Sequence, residues 1–240
     1  MPYDPSQPSP QSSYAGAREI DAGLQAYMQS VYHTMGLGLV VTGLVAFAVA
    51  HTPALYNLIF GIPLVWVAVA FSPMAFIIFG FTPGRMQRVS AEKLKLTFIM
   101  FSAVMGLSMA TIFIMFTGAS VARVFFITAA TFAATSLYGY TAKRDLTGVG
   151  SFLVMGLVGI VLAGIVNIFM HSPMVQFVIS AAGVLIFTGL TAWETQKLKN
   201  VYRAGDDEGN AKMAISGALS LYLNFINLFQ MLLRFMGDRR

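Results

Sequence analysis

The 240-residue chain contains no cysteine. This absence excludes disulfide frameworks, thiolate metal sites and cysteine nucleophiles. Charged residues are also scarce: they make up 10% of the sequence, against about a quarter of a typical soluble domain. Because 57% of the residues are hydrophobic, the chain has too little polar surface to enclose a large soluble core. The composition therefore indicates a polytopic membrane protein.

Motifs of several catalytic classes are missing as well. The sequence has no Gly-x-Ser-x-Gly elbow, no His-Glu-x-x-His helix and no phosphate-binding loop, so neither an enzyme nor a cofactor is expected. Lys and Arg number 15 against 10 Asp and Glu. These charges lie mostly between apolar runs, which is typical of membrane topology, and no nucleic-acid partner is expected.

Seven apolar runs are long enough to span a bilayer, which requires about 20 helical residues. They cover residues 30–50, 58–81, 94–117, 120–142, 150–170, 174–196 and 213–236. The sequence therefore predicts an all-α integral membrane protein with seven transmembrane helices, formed by residues 24–240.

Residues 1–23 are polar and rich in Ser, Pro and Gln, which predicts a disordered tail. Pro63 and Pro73 fall inside the second run and predict a kink there.

The connections between the runs alternate in charge. Those after the first, third and fifth runs carry no Lys or Arg, whereas those after the second, fourth and sixth are basic. By the positive-inside rule, the amino-terminal tail and the basic connections lie in the cytoplasm. Seven spans place the carboxyl-terminus on the other side. Arg234, Arg239 and Arg240 argue against this and leave a re-entrant last helix open.

The seventh run carries a polar seam. Ser216, Ser220, Asn224, Asn227 and Arg234 fall within an arc of roughly 80° on a helix that turns 100° per residue. Such a seam should turn towards other helices or a water-filled path, which makes these residues candidates for lining a pore. Hydrogen bonding between helices, worth roughly 0.6–2 kcal/mol per bond, explains the seam equally well.

Glu194 is the main acidic candidate, at the end of the sixth run beside Trp193 and Lys197. A carboxylate at the border of the hydrocarbon is costly unless it is hydrated or paired. Both a functional role and a local pair with Lys197 fit this position. Arg85 and Arg88 follow the second run, where arginines commonly set topology.

Four segments of the chain resemble the Bax inhibitor-1 family, also called the transmembrane Bax inhibitor motif family. They are residues 136–146 (SLYGYTAKRDL), 166–169 (VNIF), 189–198 (GLTAWETQKL) and 218–229 (ALSLYLNFINLF). The seven-span layout extends the resemblance over nearly the whole chain, and the compact length is similar to that of bacterial members. The resemblance implies a protein of the bacterial inner membrane in which six helices surround a central, polar seventh one.

Proteins of this family are described as pH-sensitive calcium leak channels. The resemblance implies that two aspartates, on helices six and seven, share a proton and engage an arginine of helix two. Here Glu194 and Asn224 stand at the aspartate positions, and the arginine is Arg85 or Arg88. We therefore expect a calcium leak channel with a modified proton-sensing pair. Glu194 is only a weak calcium ligand, since this cation prefers several oxygens.

Two other interpretations stay open. Loss of the second carboxylate at Asn224 could leave the fold without channel activity. Some bacterial relatives are described as regulators of a membrane-bound ATP-dependent protease, which implies a non-conducting protein that binds other membrane proteins, partly through its tail. The expected partners are accordingly the lipid bilayer, calcium ion and other membrane proteins.

Overall fold

The computed structural model describes the backbone of residues 10–240 and the side chains of residues 21–240. Within these residues there is no β-strand. The ten helices are α1 (Pro10–His51), α2 (Pro53–Phe60), α3 (Pro63–Gly80), α4 (Pro83–Arg88), α5 (Ala91–Met109), α6 (Ile112–Met115), α7 (Gly118–Thr141), α8 (Thr147–Met170), α9 (Pro173–Val201) and α10 (Asp207–Met236). Of the expected tail, residues 1–9 lie outside the described residues, and residues 10–23 belong to α1.

Seven segments are long and apolar enough to cross a membrane, which confirms the all-α fold and the number of spans. They are Asp21–His51, Pro63–Gly80, Ala91–Met115, Gly118–Thr141, Thr147–Met170, Pro173–Val201 and Asp207–Met236. Among the seven predicted runs, the second differs most from the observed helices. Pro63 begins α3 after the extended residue Ile62, so it marks a helix boundary rather than a kink. Proline is favoured at this first position because the N–H it lacks has no helical partner there.

The last span, α10, is the most enclosed. In its most apolar window 67% of the residues are buried, against 33% or less in every other span. It packs mainly against α1, α5, α7 and α9, while α3 packs on α5 and α8 packs on α9. That all six other spans surround α10 stays a prediction.

The bundle has two distinct ends. The rings of Tyr27 and Tyr202 lie 5.6 Å apart, so α1 enters the bundle beside the connection from α9 to α10. We call this end of the bundle, where the connection from α9 to α10 contains Arg203, the basic end. At the other end Thr117 N–H donates to Asp238 O (3.1 Å) and Arg240 N–H donates to Met115 O (3.0 Å). Because α10 runs unbroken between the two ends, it is not re-entrant, and the carboxyl-terminus lies opposite the start of the first span.

Candidate functional site

The polar seam is the least enclosed stripe of α10. Ser216, Ser220 and Asn227 are half-buried and Arg234 is exposed, while Asn224, at the margin of the arc, is 8% exposed. The remaining faces of the helix carry its fully buried apolar residues. The seam is therefore less closely packed than the other faces of α10.

A cavity of about 920 Å³ lies where the seam reaches the carboxyl-terminal end. We call it the C-terminal cleft. Gln230 and Arg234 of α10, Gln176 of α9 and Arg239 line it, with Met74 and Ile78 of α3 on its apolar wall. Arg234 thus belongs both to the seam and to the lining of this cavity, and Gln230 lies about 40° outside the arc of the seam.

A second cavity, of about 460 Å³, lies at the basic end, and we call it the basic cleft. Gln87 of α4, Val201 of α9 and Gly209 and Met213 of α10 contribute to its lining. Gly209 and Met213 lie within about 60° of Ser216 around the helix axis, so the seam continues into this cavity. The same stripe of α10 therefore borders a cleft at each end of the bundle.

Glu194 lies on the matching stripe of α9. Gln176 lines the C-terminal cleft and Val201 lines the basic cleft. Glu194 follows Gln176 by eighteen residues, or about five helical turns, so the two side chains project in nearly the same direction from α9. Val201 lies within about 20° of Glu194 around the same helix axis. The Glu194 side chain is 16% exposed and its Oε1 is 4.0 Å from Lys197 Nζ. It is thus a carboxylate between two cavities.

The packing of α9 on α10 sets the level of Glu194 relative to Asn224. The two helices are antiparallel: Gly183 faces Met231, and Leu198 packs directly on Gly217. Glu194 precedes Leu198 by about one turn and therefore lies opposite about residue 221 of α10. Asn224 is about one further turn along α10. The structure thus brings the two residues to adjacent levels of neighbouring helices.

The side-chain amide of Asn224 lacks a partner. Its Nδ2 is buried and makes no hydrogen bond within the described part of the chain. A buried donor without a partner costs about 1–3 kcal/mol, so water or another polar group is expected to occupy this position. Asn227, by contrast, donates from Nδ2 to the carbonyl of Leu223 at 2.8 Å.

Neither candidate arginine forms an ion pair with Glu194 among the described residues. Arg85 and Arg88 are exposed on α4 at the basic end. The ion pairs formed between described residues are Arg123–Asp238, Lys197–Glu194 and Lys212–Glu208. Lys197 thus occupies the cationic role beside Glu194 in this structure, and an arginine partner stays a prediction.

Residues 21–240 contain no group of three or more His, Asp or Glu that could hold a metal ion. The Glu194 carboxylate supplies at most two of the six to eight oxygens that calcium prefers. Glu194 alone is therefore at most a weak calcium ligand.

Gln196 has a structural role that the sequence patterns did not reveal. Its Oε1 accepts from Leu146 N–H at 2.8 Å, and its Nε2 donates to the carbonyl of Arg144 at 2.8 Å and of Ala142 at 3.3 Å. Lys199 Nζ donates to the carbonyl of Tyr140 (3.1 Å). The segment 189–198 thus fixes the turn from α7 to α8 beside Glu194.

A chain of hydroxyl groups next to Glu194 is a second feature that the sequence patterns did not reveal. Tyr32 of α1 lies 2.6 Å from the Ser136 hydroxyl of α7, which lies 2.9 Å from the Thr195 hydroxyl of α9. Thr195 in turn donates to the Thr191 carbonyl at 2.8 Å. The four-residue spacing of Thr191 and Thr195 could have predicted part of this chain, since it places both hydroxyls on one face of α9.

Comparisons with known proteins identify the family of the chain. A family model described as "Inhibitor of apoptosis-promoting Bax1" matches residues 24–240. "Inner membrane protein YbhL" of Escherichia coli strain K12 is 45% identical over 222 residues, covering 91% of this chain and 94% of the relative. A protein of Caulobacter vibrioides is 44% identical over 232 residues, covering 92% of each chain. Protein RP147 of Rickettsia prowazekii is 41% identical over 225 residues, covering 93% and 94%. The chain belongs to the Bax inhibitor-1 family of membrane proteins.

Proposed function

We propose that this protein is a pH-sensitive cation leak channel of the bacterial inner membrane, with calcium as its permeant ion. The proposed path follows the facing stripes of α9 and α10 between the two clefts. Glu194 is its titrating group, and the cytoplasmic side is the basic end. The related inner membrane protein of Escherichia coli supports the location, and the basic connections support the orientation.

One observation carries the proposal. The stripe of α10 that carries the polar seam borders the basic cleft at one end and the C-terminal cleft at the other, and the Glu194 carboxylate lies on the α9 stripe between the same two cavities. Polar and ionisable groups are expensive within a membrane unless they border water or each other. A hydrated gap between the two stripes, which would form the cation path, explains why an otherwise apolar pair of helices carries these groups on facing sides.

The charge of Glu194 would set the pH response. Lys197 is the charged group beside it, and α10 brings only the uncharged side chains of Ser220, Tyr222 and Asn224 to its level. The hydroxyl chain reaches α9 through Ser136 and is neutral as well. An ionised Glu194 attracts cations into the gap, whereas a protonated one does not. Cation flux should therefore rise as pH rises through the pKa of Glu194.

Purified protein in liposomes loaded with a calcium indicator tests this directly. Calcium entry should increase between pH 5 and pH 8 (a range chosen to span carboxylate titration), and Glu194→Gln should abolish the increase. Glu208→Gln is the matched control because that carboxylate is exposed and pairs with Lys212 at 3.2 Å. Entry no faster than in protein-free liposomes at every pH would overturn the channel and favour a role in binding other membrane proteins.

A further inference from the structure

The C-terminal cleft contains two cationic side chains without a counter-ion. Arg234 and Arg239 both line it, and neither takes part in an ion pair with another described residue. The nearby Asp238 carboxylate is occupied by Arg123, at 2.7 Å. The described lining of the cleft includes no Asp or Glu. The cavity is therefore electropositive.

The fold brings these arginines together from separate segments. Arg234 projects from the last turn of α10, whereas Arg239 belongs to the terminal segment that follows this helix. Backbone pairing of residues 238–240 with residues 115–117 holds that segment, and the Arg239 guanidinium lies 5.9 Å from the centre of the Phe116 ring. Arg239 is thus positioned by tertiary contacts rather than left on a free end.

The other polar groups of the cleft are suited to an oxyanion. Gln176 and Gln230 contribute side-chain amides and Thr111 contributes a hydroxyl, whereas the Ser108 hydroxyl donates to the Met105 carbonyl (2.8 Å). Guanidinium groups bind phosphate through paired, charge-assisted hydrogen bonds. Two arginines with neutral donors around them, and no carboxylate, make a site for a phosphate group rather than for a metal cation.

The opposite wall of the cleft indicates what carries that phosphate. Met74 and Ile78 of α3 line the cavity and are 61% and 50% exposed, and they belong to a span of which only 11% of the most apolar window is buried. The cleft is thus apolar towards the hydrocarbon and cationic at the helix end. We propose that it binds an anionic phospholipid, with the phosphate on Arg234 and Arg239 and an acyl chain along α3.

Native mass spectrometry of the detergent-solubilised full chain tests the site without reference to ion flux. Dihexanoyl phosphatidylglycerol is titrated as the probe, and dihexanoyl phosphatidylcholine serves as the zwitterionic comparison. Arg234→Gln and Arg239→Gln should each weaken phosphatidylglycerol binding about tenfold, because each removes charge-assisted hydrogen bonds. Arg240→Gln is the matched control, since it removes a positive charge from the same terminal segment without touching the cleft.

The binding measurements decide whether the C-terminal cleft is a site for an anionic phospholipid. Selective loss in the two cleft variants, with Arg240→Gln unchanged, supports the lipid site, and Arg234→Lys should then retain part of the affinity. If inorganic phosphate displaces the lipid at equal concentration, the phosphate site stands but the lipid assignment fails. Equal affinity in all variants, or equal binding of both lipids, would overturn the proposal. Because Arg239 lies outside every helix, its variant remains informative even if Arg234→Gln does not fold.

Discussion

The hydroxyl oxygen of Tyr222 in α10 lies 2.6 Å from that of Thr42 in α1. Thr42 also donates to the backbone carbonyl of Ser102 in α5 at 2.9 Å. A hydroxyl has one hydrogen, so Tyr222 is the donor to Thr42. Tyr222 is fully buried, with Phe98 and Phe101 edge-to-face against its ring. Three spans are thus joined by one directed pair of hydrogen bonds.

This direction predicts unequal effects of removing the two hydroxyls. Tyr222→Phe removes a donor but leaves Thr42 bonded to Ser102, and should cost about 1 kcal/mol of unfolding free energy. Thr42→Val removes both the acceptor of the Tyr222 hydroxyl and the donor to the Ser102 carbonyl, and should cost about 1–3 kcal/mol. Unfolding in detergent measures both, with Tyr138→Phe as control because Tyr138 is 57% exposed. A larger loss in Tyr222→Phe than in Thr42→Val would contradict the assigned donor.

The spans follow from hydropathy because crossing hydrocarbon requires length and apolar composition, and both are visible in the sequence. The Tyr222–Thr42 contact cannot be predicted from the sequence, because its two residues are 180 positions apart. The polar seam of α10 could be located from helical spacing alone. The partner of that seam on α9 could not, since it depends on Leu198 packing on Gly217. Arg239 likewise follows the last helix without periodicity, and only tertiary pairing brings it to the cleft.

Gln196 should be more important for the turn from α7 to α8 than for ion flux. Gln196→Met keeps the length of the side chain but leaves the N–H of the buried Leu146 without its acceptor. We expect a loss of about 1–3 kcal/mol and faster amide hydrogen exchange across residues 142–146. Gln87→Met, at an exposed position, should leave both quantities unchanged. Unchanged exchange at Leu146 in Gln196→Met would argue against the clamp.

Gly139 is required for the close approach of α7 and α9. A Cβ atom at this position would clash with the backbone of Ala192, which cannot move without separating the helices. Gly139→Ala should therefore cost about 1–3 kcal/mol. Gly159→Ala in α8 is the control, because a Cβ there meets nothing within 4 Å, and replacing a helical glycine by alanine should be neutral or stabilising. The spacing of Gly159 and Ala163 resembles a packing motif, yet Gly159 is exposed in this chain.

Asn224→Asp should strengthen the pH response of the proposed channel. It adds a second carboxylate about one helical turn from the level of Glu194, so the two groups would titrate as a coupled pair. Both are protonated in acid, whereas at alkaline pH the added charge draws more cation into the gap. The ratio of calcium entry at pH 8 to that at pH 5 should rise about tenfold. Asn227→Asp on the same seam is the control, and an equal change there would count against a specific pair.

Arg234 should limit cation entry at the carboxyl-terminal end. Its charge and that of Arg239 make the C-terminal cleft electropositive, which depletes cations at this mouth of the proposed path. In liposomes of phosphatidylcholine, which supply no anionic lipid to neutralise the cleft, Arg234→Gln should therefore increase calcium entry severalfold when calcium is supplied from this side. The increase should be smaller at high ionic strength, because about 0.15 M salt screens charges beyond roughly 8 Å. Arg240→Gln, which leaves the cleft intact, should change entry much less. Slower entry in Arg234→Gln would mean that Arg234 supports conduction, for example by holding the anion that neutralises the cleft.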